Sequence, residues 1–164
     1  MATTRDPRRS TFWHRWFPIQ YRIIRWLDPL VRRWWSLRGL GDTAELQVRG
    51  RRTGLRRSVL VGLLEVDGRW YVGHPNGPVA WTRNLEAAGR ATLVRHPGSV
   101  VMVAAEALPP GVERSAAIAA TFVQHPFPGN VVYRLAGRHI EAAGAFFRLA
   151  PVSAAGGIDD PPDV

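Results

Sequence analysis

Apolar and polar side chains alternate clearly over Ala44 to Arg49, where Leu46 and Val48 interleave with Gln47 and Arg49, as in a strand with one dry face. The run from Arg57 to Val66 is mostly Val and Leu and reads as a buried strand; Arg69 to Gly73 reads as a third. Asp67-Gly68, between these two, is a hairpin signal. Val79 to Ala88 predicts a short helix ended by Gly89. Ala91 to Arg95 and Ser99 to Leu108 predict a second hairpin across Pro97-Gly98. Pro109-Pro110-Gly111 breaks the chain before an alanine-rich helix over Val112 to Val123. His125 to Asn130 reads as a loop and Ala145 to Leu149 as a last strand. Strands outnumber helices and fall mainly in hairpins, which predicts an α+β chain: a small mixed barrel of about six mainly antiparallel strands with added helices.

Ahead of this barrel the pattern changes. Residues 1–11 read as a disordered basic leader, 12–38 as an amphipathic Trp- and Arg-rich helical segment, 39–151 as the barrel domain and 152–164 as a flexible tail. Apolar residues in the second segment recur near a period of 3.6, while Arg15, Arg22, Arg25 and Arg32 lie mostly off that stripe. Five tryptophans (13, 16, 26, 34 and 35) fall there, and Pro18 and Pro29 start or kink a helix. Two readings fit: a basic helix lying on an anionic membrane surface, or a helix closing one end of the barrel with its tryptophans buried. No apolar run is long enough to span a bilayer, and the leader lacks the features of a secretory signal.

Composition narrows the chemistry. The 164 residues suffice for one domain with a real core. There is no cysteine, which excludes disulfides, thiolate metal sites and a cysteine nucleophile. The five histidines show no metal-ligand spacing, so no metal site is expected. All 22 basic residues are arginine, which excludes Schiff-base chemistry by a lysine. The charge is uneven: through Arg57 there are 14 arginines against four acids, a net of +10, and the rest of the chain carries −1. An anionic partner is therefore expected to meet the N-terminal third. No paired carboxylates, nucleophile elbow, phosphate-binding Gly-Lys loop or dinucleotide glycine fingerprint is present.

One loop concentrates that charge. Gly50-Arg51-Arg52-Thr53-Gly54 joins two predicted strands, and Arg57 stands where the second begins. Glycines allow a tight turn, and guanidinium forks with backbone N–H groups on one loop suit a phosphate or carboxylate. The alternative is a solvated basic hairpin turn. Downstream, the turn His74-Pro75-Asn76-Gly77 leads into Trp81-Thr82-Arg83-Asn84-Leu85.

In this order the motifs resemble the deazaflavin-dependent nitroreductase family, over about Glu45 to Leu108. The resemblance implies a split β-barrel of the flavin-binding (FMN-binding-like) type. It also implies a bound deazaflavin, coenzyme F420, in preference to FMN, and hydride transfer to a quinone or nitro compound. By the same resemblance Arg51, Arg52, Thr53, Gly54 and Arg57 hold the cofactor phosphate and acidic tail. His74, Pro75, Asn76 and Gly77 run past the deazaflavin ring, Trp81 packs on the cofactor, and Asn84 fixes the loop through its amide. Trp81 and Asn84 are equally readable as a core tryptophan and a structural asparagine. The sequence departs from the family pattern in a shorter loop before Trp81, in Leu60 where a proline is common, and in a C-terminal region offering only Tyr133, near Phe122 and Phe127, on the substrate side.

Three function classes follow: a deazaflavin-dependent oxidoreductase, a flavin, haem-derived or lipid carrier on the same barrel, and a basic module for RNA or membrane. Aromatics concentrated outside the barrel strands argue against nucleic acid. The resulting expectation is a cytoplasmic monomer or homodimer, with association at the inner face of the membrane left open.

Overall fold

The computed structural model describes residues 42–125 and 129–152. The leader, the Trp-rich segment, Phe127 and the tail beyond Val152 lie outside the described residues. Seven strands form one antiparallel sheet: β1 (Thr43–Arg49), β2 (Arg56–Gly62), β3 (Leu64–Val66), β4 (Arg69–His74), β5 (Arg90–Arg95), β6 (Ser99–Ala107) and β7 (Ala145–Pro151). Four helices are added: α1 (Ala80–Ala88), α2 (Val112–Gln124), α3 (Gly129–Leu135) and α4 (Gly137–Ala143). The sheet order is β2-β1-β5-β6-β7-β4-β3.

The stretch Arg57 to Val66, expected as one strand, is two. β2 pairs with β1 and β3 pairs with β4, with Leu63 between them. The Leu63 N–H donates to the Asp42 carbonyl at 2.7 Å, continuing the β1–β2 register by one residue before the chain passes to β4. The two edge strands of the sheet are thus consecutive in the chain, and the sheet must curl until its edges adjoin. β2 and β4 share no ladder, so the barrel is split along that seam.

Alternation sorts the strand residues into two cores. Leu46, Val48, Val61, Leu63, Val72, Leu93 and Phe147 face inward, closed over by Leu85 of α1. Leu64, Tyr71 and Phe146 face outward and meet Ala117 and Ile118 of α2 and Ile140 of α4. The buried face of α2 is Arg114, Ala117, Ile118 and Thr121, one stripe at helical spacing. Arg114 is buried with carbonyls as partners: its Nη2 donates to Glu141 O at 3.0 Å and Gly144 O at 2.7 Å. These carbonyls end α4, and their partial negative charge balances the guanidinium. Gln124 covers the edge strand β3: its Nε2 donates to the Glu65 carbonyl at 2.7 Å, and its Oε1 accepts from the Glu65 N–H at 2.9 Å. These bonds replace the ones a further strand would make.

α3 and α4 have no counterpart in the hydrophobic pattern of the sequence. Each is seven residues long, too short to display a periodicity.

Gly73 lies opposite Phe146 in the β4–β7 register. A Cβ at Gly73 would meet the Phe146 ring, with Cγ at 2.8 Å and two further ring carbons closer still. Gly73→Ala is therefore expected to lose about 1–3 kcal/mol in urea denaturation, the cost of overpacking a buried ring. Adding Phe146→Leu should recover part of that loss. An unchanged midpoint for Gly73→Ala would show that the ring yields freely.

Candidate functional site

The arginine loop connects β1 to β2. The Gly50 N–H donates to Leu55 O and the Gly54 N–H to Gly50 O, both at 2.8 Å, which closes the loop. Gly54 has φ 68°, a left-handed conformation that a side chain would resist. The Leu55 N–H donates to Thr53 Oγ1 at 3.4 Å. Arg51 donates from its backbone N–H (3.3 Å) and its Nη1 (3.2 Å) to one acceptor, Oδ1 of Asn84. The amide oxygen of Asn84 thus meets the arginine loop.

Arg52 and Arg57 are exposed. Among the described residues no carboxylate pairs with Arg51, Arg52 or Arg57. Nor do the Arg52 and Thr53 amides have a hydrogen-bond partner there. Strand parity separates Arg57 from Arg56. Arg57 shares the face of Val59 and Val61 and sits opposite Val48, so it lies on the inner side of the sheet at its open end.

The second loop follows β4. His74 shares the inward face of Trp70 and Val72, is buried, and meets Trp81 edge-on with centroids 6.4 Å apart. Trp81 in turn lies 6.5 Å from the Phe147 ring and packs against the inner core. Burial lowers the His74 pKa to about 4, against a smaller opposing effect from a backbone hydrogen bond with Gly77. The imidazole is therefore neutral at physiological pH. Its Nδ1 accepts from the Asn76 N–H at 3.3 Å. The Asn76 side chain turns the other way: its Oδ1 lies 2.9 Å from Nε2 of His139, a buried residue of α4. Pro75 and Gly77 are buried. Gly77 has φ 81°, and a Cβ there would lie 3.1 Å from the Ala143 carbonyl. The loop is thus clamped between the barrel interior and the outer helix layer.

α1 joins the two loops. Its first turn is closed by Thr82, whose hydroxyl accepts from the Val79 N–H at 2.8 Å and donates to the Val79 carbonyl at 3.0 Å. Leu85 is fully buried, and Gly89 ends the helix with its N–H on Leu85 O at 2.9 Å. Trp81 and Asn84, one turn apart, then reach His74 and Arg51 respectively. The arginine loop, Arg57, the His74 to Gly77 turn, Trp81 and Asn84 are thereby gathered at one end of the barrel. Tyr133 is not among them. It sits on α3 with its ring 4.5 Å from that of His125, which lies against Gly62. Gly62 is five residues along β2 from Arg57, roughly 17 Å at about 3.3 Å per residue.

A cavity of about 720 Å³ lies at the other end, around the β3–β4 hairpin. It contains none of the residues of the arginine loop or the His74 to Gly77 turn, which stand at the opposite rim. Among the described residues no group of His, Asp and Glu could hold a metal ion, and no helix is long and apolar enough to cross a membrane.

Two further residues position the site from outside it. Nothing marked His139, a single histidine in a short helix. Arg114 did carry a signal: it occupies the apolar stripe of α2, where a charge needs a buried partner.

The histidine has a pH consequence. Unfolded, His74 titrates near 6.5; folded, near 4. Between these values the unfolded chain binds the extra proton, so the contribution is fully present above pH 6.5 and declines as pH falls toward 4. The full loss is roughly 3 kcal/mol. Urea midpoints should fall on acidification through this window, and His74→Gln should flatten the fall. The slope should shrink without vanishing, because burial lowers the His125 pKa in the same sense. An unaltered slope in His74→Gln would remove His74 as its source.

No protein-family model matches the sequence, and no curated protein matches it. Solved structures do resemble it. An F420-H2 dependent reductase (FDR-A) superimposes with TM-score 0.52 at 17% identity, over 66% of this chain and 94% of that one. A conserved hypothetical protein of Mycobacterium tuberculosis gives 0.54 at 12%, over 68% and 73%. HutZ, the heme storage protein of Vibrio cholerae, gives 0.53 at 13%, over 78% and 92%. Identities this low show the fold alone: an α+β split β-barrel.

Proposed function

We propose that the protein is an oxidoreductase that binds reduced deazaflavin, coenzyme F420, and passes a hydride to an electron-poor small molecule such as a quinone or nitro compound. The observation that carries this reading is the rim itself. Arg52 and Arg57 lack carboxylate partners among the described residues, and they share one barrel end with the clamped His74 to Gly77 turn. Cations and amides without protein partners fit an anionic cofactor. When bound, the deazaflavin supplies the hydride; the chain binds and orients. In this reading Arg52 and Arg57 hold phosphate and acidic tail. Arg51, tied to Asn84, shapes the loop between them. Neutral His74 and half-buried Trp81 form the wall beside the ring. Asn76, held by His74 and His139, keeps the turn in place. The neighbour among solved structures that is an F420-H2 dependent reductase supports the choice of cofactor.

A carrier without turnover is the second reading, favoured by the shared fold of a heme storage protein and by the distance of Tyr133 from the rim. Binding at an anionic membrane surface remains part of the proposal only through the basic N-terminal third.

The full-length protein should bind F420 more tightly than flavin mononucleotide at physiological salt. Arg52→Ala should weaken F420 binding about tenfold, near 1.4 kcal/mol, with little effect on the single-turnover rate at saturation. His74→Gln should do the reverse, since only the second loop sets the geometry of the reacting groups. A clear preference for flavin mononucleotide, or unchanged affinity in Arg52→Ala, would refute the cofactor assignment. Binding of reduced F420 with no acceptor speeding its oxidation would favour the carrier.

A further inference from the structure

The end of the barrel opposite the arginine loop holds two cavities, of about 720 Å³ and about 200 Å³. Glu65 and Arg95 line both. Strand parity puts the two side chains on the inner face of the sheet: Arg95 continues the row of Ala91 and Leu93, and Glu65 the row of Val61 and Leu63. The backbone of Glu65 is held on both sides by Gln124, so its position on the wall is fixed. The Arg95 guanidinium stacks on the Trp70 ring, 5.2 Å from its centroid.

The other charges on the larger cavity are already engaged. Arg148 pairs with Glu106 and Glu113, and Arg69 lies 3.9 Å from Glu113. Arg95 and Glu65 differ. Among the described residues neither has an oppositely charged group within 4.0 Å, and they do not pair with each other. β3 and β5 are separated in the sheet by β6, β7 and β4, which keeps the two groups on different parts of the barrel. Both are exposed at the mouth of the cavities, and a cation and an anion lacking oppositely charged partners can both be engaged by one ligand that carries both opposite charges.

We propose that this cavity binds a small molecule bearing both a carboxylate and an ammonium group, the carboxylate on Arg95 and the ammonium on Glu65. Trp70 and Leu149 supply the apolar surface for the stem between the two charges. The site lies away from the rim and does not depend on the cofactor reading.

The test is titration of the full-length protein with glycine, γ-aminobutyrate and lysine, with acetate and methylamine as single-charge controls. Amide chemical shifts read by NMR locate the site. At least one zwitterion should saturate, shift Gly68, Trp70 and Ala150, and bind about tenfold more tightly than either control. Arg95→Gln and Glu65→Gln should each weaken it about tenfold, and Arg52→Ala should not. Arg95→Lys, which keeps the charge and most of the stem, should retain binding and serves as the folded comparison if Arg95→Gln unfolds. Absence of saturable binding by every zwitterion would overturn the proposal. So would acetate binding as tightly as the zwitterions, shifts confined to the arginine loop, or equal affinity in Glu65→Gln.

Discussion

The structure depends on one stretch of chain belonging to both edges of the same sheet. Up to Gly62 the stretch is hydrogen bonded to β1; from Leu64 it is hydrogen bonded to β4. A flat sheet cannot satisfy both sets of bonds, so the seven strands curl until β2 and β4 adjoin. Below Leu63 the seam is closed by β3 and by the side chain of Gln124. Above it β2 and β4 diverge without a ladder. The open end of the barrel, with Arg57 on one side of the seam and His74 on the other, follows from that switch of partners.

A barrel held open in this way needs its loops fixed independently, because neither can lean on a shared ladder. α1 provides the link. Its buried Leu85 anchors the helix over the inner core, and residues one turn apart reach both loops. The single oxygen Oδ1 of Asn84 accepts two donors from Arg51, so the loop conformation and the direction of one guanidinium are set together. Arg52 and Arg57 are left facing water, where Coulomb interactions are weak until a ligand displaces solvent. Order in the backbone beneath uncommitted cations limits the conformational entropy lost on binding.

What was legible in the sequence was whatever had a local cause. The Asp67-Gly68 and Pro97-Gly98 turns lie between the strands they were expected to join. Gly89 ends α1, and Ala145 begins the last strand. Arg57 stood out at the start of a strand and by the family resemblance; its separation from Arg56 by strand parity emerges only in the structure, where it shares the face of Val59 and Val61. The break at Leu63 was not legible, because a mostly Val and Leu run looks the same whether it pairs with one strand or two. α3 and α4 were hidden by their length. The pairing of Asn76 with His139 joins residues 63 positions apart, which no local pattern encodes. Tyr133 stands near Phe122 and Phe127 in sequence, but the fold places it on α3 against His125, which lies by Gly62 at the far end of β2.

The residues that do not touch the rim still decide its shape. Arg114 has no carboxylate partner among the described residues; it is satisfied by the carbonyls at the end of α4. A lysine there would carry its charge on a single nitrogen, whereas the guanidinium spreads it over a planar group and loses less on burial. Those bonds fix the end of a seven-residue helix too short to be stable alone. The same helix carries His139 to Asn76 and brings the Ala143 carbonyl against Gly77. A charge buried in the outer core is thus connected, through two hydrogen-bonded steps, to the turn that stands opposite the arginine loop. The outer helix layer acts as the brace of the second loop, while α1 braces the first. Those two braces belong to different cores. The His74 to Gly77 turn is thus held from both sides, by Trp81 of α1 and by the outer helix layer, at the open end created by the switch of strand partners at Leu63.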